Sequence, residues 1–248
     1  MQKAEEVEGE GVRNSTPWRL RPLVCVCAGL FGMPLLALAQ SGLSVAGRAA
    51  ELSGGKVEAL ESGKWEVLFN GKSLDGWKRT EFGGGGEANV EDGVLVVDQG
   101  EELSGVNWTR AFPKMNYEIE LDAQRRTGLD FFCAVTFPVG ERFVTFVVGG
   151  WGGATVGISS INRQDASQNE TSTIRHFKDN RWYKIRVKVE PERIQAWIDA
   201  ERVVDLDTRG KELGLRVGEI DLSVPLGVAT FRTTAAFRDV RMRRLPLP

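Results

Sequence analysis

Trp65-Glu-Val-Leu-Phe-Asn-Gly-Lys-Ser-Leu-Asp-Gly-Trp77 opens the large globular part of this chain and sets its fold class. Val67 and Phe69 fall on alternate positions, as a half-buried strand requires. Asn70-Gly71 is a strong turn dipeptide because both residues tolerate positive φ. Asp75-Gly76 repeats the device, and Trp77 supplies a large apolar anchor. Working outward, short alternating runs recur up to Leu245, separated by Gly, Asn and Asp turns. Val94 to Val97 follows an Asp92-Gly93 turn. Tyr117-Glu-Ile-Glu-Leu-Asp-Ala123 and Tyr183-Lys-Ile-Arg-Val-Lys-Val189 alternate cleanly. Arg193 to Asp199 and Arg202 to Leu206 form a hairpin pattern, and Val228 to Phe231 and Ala236 to Met242 close the series. Many short strands without a long amphipathic helix predict an all-β sandwich or jelly roll. Glu118, Glu120 and Asp122 share one strand face, as do Lys184, Arg186 and Lys188, so the two strands are expected to pair through opposite charges on a solvated face.

The flanks bound the cell biology. Arg19 and Arg21 precede an apolar run from Leu23 to Leu36, and Ala37-Leu38-Ala39 is a small-x-small box. Residues 1–39 therefore read as an N-terminal extension and signal peptide, cleaved near Ala39/Gln40, which predicts a secreted or periplasmic protein. The competing reading is an uncleaved membrane anchor; after cleavage no stable membrane association is expected. Cys25 and Cys27 sit in the apolar run without a lipobox, and the acidic residues 1–17 are unlike any signal start, so translation is expected to begin nearer Val12. Residues 40–63 read as a linker and 64–248 as the folded domain. The formal net charge of −2, with acids and bases interleaved, gives no case for a nucleic-acid partner. Cys133 alone remains after cleavage, so the domain must stand on its core without an internal disulfide.

Chemistry is expected in the segment from Gly128 to Thr173. In Leu129-Asp-Phe-Phe-Cys-Ala-Val-Thr-Phe137 the odd-numbered side chains are apolar and are expected in the core. The opposite face then carries Asp130, Phe132, Ala134 and Thr136. Likewise Val156 and Ile158 face inward, leaving Thr155, Gly157 and Ser159 to line an open groove. Gly149-Gly-Trp-Gly-Gly153 allows a sharp bend; Trp151 is either a platform for a sugar ring or a hairpin-tip residue on the core edge. The polar run Asn162 to Thr173 offers Arg163, Asp165, Asn169 and Glu170, with His176 just beyond, either as a site or as a solvated loop. Asn107-Trp-Thr109 and Asn169-Glu-Thr171 match the acceptor pattern for N-glycosylation in a eukaryotic secretory host. One histidine and one mature cysteine argue against zinc; an oxygen-only site for a divalent metal such as calcium stays open. No phosphate loop or Gly-x-Ser-x-Gly nucleophile motif is present.

Leu68-Phe-Asn-Gly-Lys-Ser-Leu-Asp-Gly-Trp77 also resembles the opening of the DUF1080 family, the 3-keto-disaccharide hydrolase or 3-keto-glucoside lyase/hydratase domains. Val90 to Val96, Asn180-Arg-Trp-Tyr-Lys-Ile-Arg186, Ala196-Trp-Ile-Asp199 and Phe237-Arg-Asp-Val-Arg241 extend the likeness. The resemblance implies a concanavalin/laminin-G-like jelly roll and a carbohydrate or oxidised glycoside as partner. Where such relatives keep a Ser-Gly-Ile-Phe-Phe-Arg strand this chain has Leu129-Asp-Phe-Phe-Cys133, and their Tyr-Glu-x-Gln strand has become Phe143-Val-Thr-Phe-Val147. It further implies abstraction of the proton at C2 of a 3-keto-glycoside, β-elimination at C1, and hydration. Asp130, Glu170 and His176 are then the candidate bases. Arg163 and Asn169 are candidate enolate stabilisers, and Phe132, Thr136, Trp151 and Asp165 complete the binding set. A binding module lacking the base, or an adhesion domain, would use the same scaffold.

Overall fold

Period-two alternation becomes two antiparallel sheets, described by a computed structural model over residues 63–246. The signal-like segment and nearly all of the linker lie outside the described residues. The strands run β1 (Trp65–Val67), β2 (Trp77–Arg79), β3 (Ala88–Glu91), β4 (Val94–Val97) and β5 (Leu103–Trp108). They continue with β6 (Tyr117–Gly128), β7 (Cys133–Val139), β8 (Arg142–Gly149), β9 (Thr155–Ser159) and β10 (Thr173–Ile174). The last are β11 (Trp182–Glu190), β12 (Arg193–Ile198), β13 (Glu201–Asp207), β14 (Gly227–Phe231) and β15 (Thr233–Arg244). One sheet has the order β13-β12-β11-β6-β15-β4-β3, with β1 added to β15; the other runs β10-β9-β8-β7-β14-β5-β2. Successive strands often enter opposite sheets, as in a jelly roll.

Inward-facing side chains of both sheets make one core. Ile119, Leu121, Ile185 and Val187 come from the first sheet and meet Val135, Phe137, Phe146 and Ile158 of the second. Each full burial of such a side chain contributes about 1.5–3 kcal/mol, and this core has no disulfide to assist it. Its Cys133 is free and buried, and burial pushes the thiol pKa well up.

The opening segment departs from the alternation expected of it. β1 ends at Val67, whose side chain is 67% exposed, while Leu68 and Phe69 are both buried. Their consecutive amides both donate to the Val240 carbonyl, at 2.8 and 3.2 Å, so the chain folds over the sheet edge. The turns behave as read: the Asn70 side-chain oxygen accepts from the amides of Lys72 and Ser73, and Gly71 lies at φ 71. Trp77 Nε1 then donates to the Leu68 carbonyl at 2.9 Å, closing the loop on the core. Gly76, at φ 81, admits nothing larger, because an added Cβ would stand 2.5 Å from the Trp108 ring.

The charged strands pair as expected: Lys184, Arg186 and Lys188 stand opposite Asp122, Glu120 and Glu118. Their carboxylates, however, are buried rather than solvated, at 9%, 8% and 2% exposure. The reason is β15 on the other flank, which brings Arg238, Arg241 and Arg243 opposite the same three acids. A spacing of three between Arg238 and Arg241 would put them on opposite faces; a bulge at Asp239, φ 54, restores the face. Arg238 meets Asp122 at 3.2 Å, Arg241 meets Glu120 at 2.5 Å and Arg243 meets Glu118 at 2.5 Å. The guanidinium groups in turn lie over indoles, Arg186 on Trp197, Arg238 on Trp182, and Arg241 and Arg243 on Trp65. Stems and rings together roof the acids.

Candidate functional site

Outward-facing side chains of the second sheet form the floor of a groove of ≈ 570 Å³. Ala134 on β7, Thr145 and Val147 on β8, and Ser159 on β9 alternate with core residues, which fixes their direction. The segment from Arg216 to Ile220 walls one side, and Phe131, Phe231 and Trp151 supply aromatic surface. Phe131 and Phe231 pack with ring centroids 5.8 Å apart, although a hundred residues separate them, because β14 pairs with β7.

Trp151 remains 42% exposed in the groove, on the turn Gly150–Gly153. Its own φ of 48 and that of Gly152, 85, are left-handed, so this is a tight bend rather than a helix. Asp130 holds the bend. One carboxylate oxygen accepts from the Phe131 amide at 2.7 Å and the other from the Gly152 amide at 3.0 Å. A single side chain thus sets two groove aromatics, at the expense of its capacity to accept from a ligand. Arg216 lies over the Trp151 ring at 5.9 Å and pairs with Asp165 at 3.0 Å. Asp165 also accepts from the Ser159 hydroxyl at 3.3 Å.

Of the residues singled out in the sequence, Asp130, Ala134, Trp151 and Ser159 line the groove, Asp165 touches it through Arg216 and Ser159, and Thr155 is buried outside the lining. Phe132 points the other way, fully buried against Phe177 and Tyr183. The alternation fails there because residues 129–132 are a bend before β7 begins; Leu129 is 80% exposed and Phe131, not Phe132, meets the groove. Thr136 shares the outward face with Ala134, as expected, but is fully buried and outside the groove lining, its hydroxyl 2.9 Å from that of Thr145. Gly157 leaves no open space either, since an added Cβ would meet the carbonyls of Ala166 and Thr171 at 3.1 Å. The polar strap of residues 162–173 covers this end of the sheet.

Asn169 builds that strap. Its amide nitrogen donates to the carbonyls of Ile158, Gln164 and Asp165, and its oxygen accepts from the Thr171 amide and hydroxyl. Glu170 faces outward to Lys211 at 2.6 Å, Arg163 to Glu212 at 3.1 Å, and His176 is exposed beyond β10. None of these three is in the groove lining. Among the described residues the two glycosylation-type asparagines are buried, Asn107 at 5% and Asn169 at 8%.

Sequence reasoning missed the groove's remaining polar groups. Glu102 stands at the mouth with Arg232 at 3.6 Å. Glu219 accepts from the Gly83 amide with both oxygens, 3.2 and 3.0 Å, tying the wall to the glycine run. Neither segment carries a periodic pattern; Phe231, by contrast, was available from the alternation of β14. Among the described residues no group of three or more His, Cys, Asp or Glu side chains is placed to hold a metal ion. Flat aromatic surface beside fixed carboxylates and one guanidinium suits a ligand with apolar faces and hydroxyl edges.

Two antiparallel sheets around one core, with a groove on the outer face of one of them, make a jelly-roll β-sandwich. The chain belongs to the family of 3-keto-alpha-glucoside-1,2-lyase-like domains, whose profile matches residues 64–243. Among solved structures it is similar to a protein of unknown function with a galectin-like fold from Bacillus subtilis, 12% identical, with a TM-score of 0.52 over 74% of this chain and 97% of that one. It is also similar to the Crh5 transglycosylase in complex with NAG, 12% identical, TM-score 0.50, over 75% and 86% of the two chains. A third is the carbohydrate-binding module CBM66 from Bacillus subtilis, 14% identical, TM-score 0.46, over 68% and 95%. At these identities the likeness is one of fold. Comparison with curated proteins finds no match.

Proposed function

We propose that the groove is a saccharide-binding site and that its ligand is a 3-keto-glycoside, the compound class that the family's description names. The observation that carries this reading is Trp151, held part-exposed beside Phe131 by the two hydrogen bonds of Asp130. Sugar rings present C–H faces to an indole and hydroxyls to carboxylates. Calorimetric titration of the protein with a 3-keto-glucoside tests it: Trp151→Ala is expected to weaken binding about tenfold or more. Undiminished affinity in that variant overturns the reading.

A second, catalytic reading is favoured by Glu102, a groove carboxylate that takes no part in bracing the bend or the wall. In it Glu102 takes the C2 proton, acidified by the neighbouring ketone, and Arg216 stabilises the developing enolate oxygen. Collapse of the enolate expels the C1 substituent, which takes up a proton, and water then adds across the new double bond. Release of the aglycone from a 3-keto-glucoside, measured with and without calcium, is expected to fall about a hundredfold or more in Glu102→Gln. Equal turnover in Glu102→Gln, with loss in Glu170→Gln or His176→Gln instead, would move the chemistry to the strap. Export of the domain is part of the same proposal, and N-terminal sequencing of the secreted protein is expected to begin near Gln40.

A further inference from the structure

We infer that the groove selects its saccharide by charge, accepting amino and neutral sugars and rejecting uronates. The inference rests on the reading of the groove as a saccharide site and adds the class of sugar. Three carboxylates line the groove, Glu102, Asp130 and Glu219, against the single guanidinium of Arg216, an excess of two negative charges. Their nearest charged neighbours leave that excess unchanged. Arg216 is paired with Asp165 at 3.0 Å, and Arg232 reaches Glu102 at 3.6 Å, one added charge of each sign.

Two of the three acids are also fixed in place. Asp130 is held by the amides of Phe131 and Gly152, and Glu219 by that of Gly83. A carboxylated sugar entering here cannot push them aside without releasing Trp151 or the wall segment. The one cation of the lining, Arg216, already has the full charge of Asp165 beside it, so it offsets little of a second full negative charge. An ammonium group at C2 of a sugar finds the reverse: fixed charges of opposite sign whose field costs no reorganisation to use.

Three tetrasaccharides of the same β-1,4-gluco backbone isolate the effect: cellotetraose, the glucosamine tetramer and the glucuronate tetramer. Calorimetric titration of the full chain at low salt is expected to rank glucosamine above cellotetraose above glucuronate, with steps of about threefold to tenfold. The spread is expected to shrink as salt is raised. In the double variant Glu102→Gln, Glu219→Gln, which keeps one acceptor oxygen at each position and removes two charges, the three affinities are expected to converge. Uronate binding as tight as cellotetraose overturns the charge selection while the saccharide reading stands. A spread unchanged in the double variant overturns it equally, since these acids are then not its source. If none of the tetramers binds while a 3-keto-glucoside does, the charge selection falls and the saccharide reading stands; if the 3-keto-glucoside does not bind either, both fall.

Discussion

Asp130 illustrates how one side chain acquires a role that its residue type does not announce. A carboxylate in a groove reads as a base, yet both of its oxygens accept from main-chain amides, and what they fix is the bend that presents Trp151. Asp130→Ala is expected to destabilise the fold by about 1–3 kcal/mol, the cost of leaving two such donors unmatched, and to lower saccharide affinity along with it. Chemical denaturation and calorimetry on the same variant check the two together; affinity kept while stability falls would separate the bend from binding. Cys133 shows the opposite case, a reactive residue type made inert. Its thiol is fully buried between the sheets and its pKa is pushed well up by that burial. A thiol reagent is expected to leave it unmodified in the native protein and to modify it once denaturant is added.

Strands were legible in the sequence wherever both faces had a consistent partner. β6 and β11 alternate without interruption, and their pairing follows the residues that face each other. What the pattern could not show was a third strand, β15, arriving from the far end of the chain to bury the same acids. The groove was legible in part: the small outward residues of β7 and β9 were visible, but a period-two reading carried through residues 129–132 assigned Phe132 to the wrong face. Local alternation has no means of registering a bend held by a side chain. Within the strap, neighbouring residues have opposite worth. Asn169→Ala removes five hydrogen bonds from a buried amide and is expected to cost about 2–4 kcal/mol. Glu170→Gln, at an exposed ion pair with Lys211, is expected to cost under about 1 kcal/mol. Urea unfolding of both variants makes the comparison.

For the molecule as a whole, the ladder of buried acids ties stability to pH. Burial pushes the Glu120 pKa up, but hydrogen bonds from Arg241 and Lys184 outweigh it and leave it below its ordinary 4.5. A group held lower in the folded state binds its proton more readily when unfolded. Its contribution is therefore complete above pH 4.5 and is lost as pH falls through the lower folded value. Lys184 is raised above its ordinary 10.5: burial lowers it, and the hydrogen bonds to Glu120 and Asp122 more than compensate. Its contribution is complete below 10.5 and is lost as pH rises through the higher folded value. A urea midpoint that stays level at neutral pH and drops on acidification below about 4.5 is the expected profile. The burial of Asn107 and Asn169 has a different consequence, one of manufacture. In a eukaryotic secretory host the oligosaccharide is attached to the nascent chain, before either amide is enclosed. A glycan on Asn169 has no place beneath the strap, so attachment and native structure exclude each other. The fraction glycosylated on Asn169 in such a host therefore counts the molecules that lost the race to fold, and a bacterial host, which lacks the modification, removes that loss.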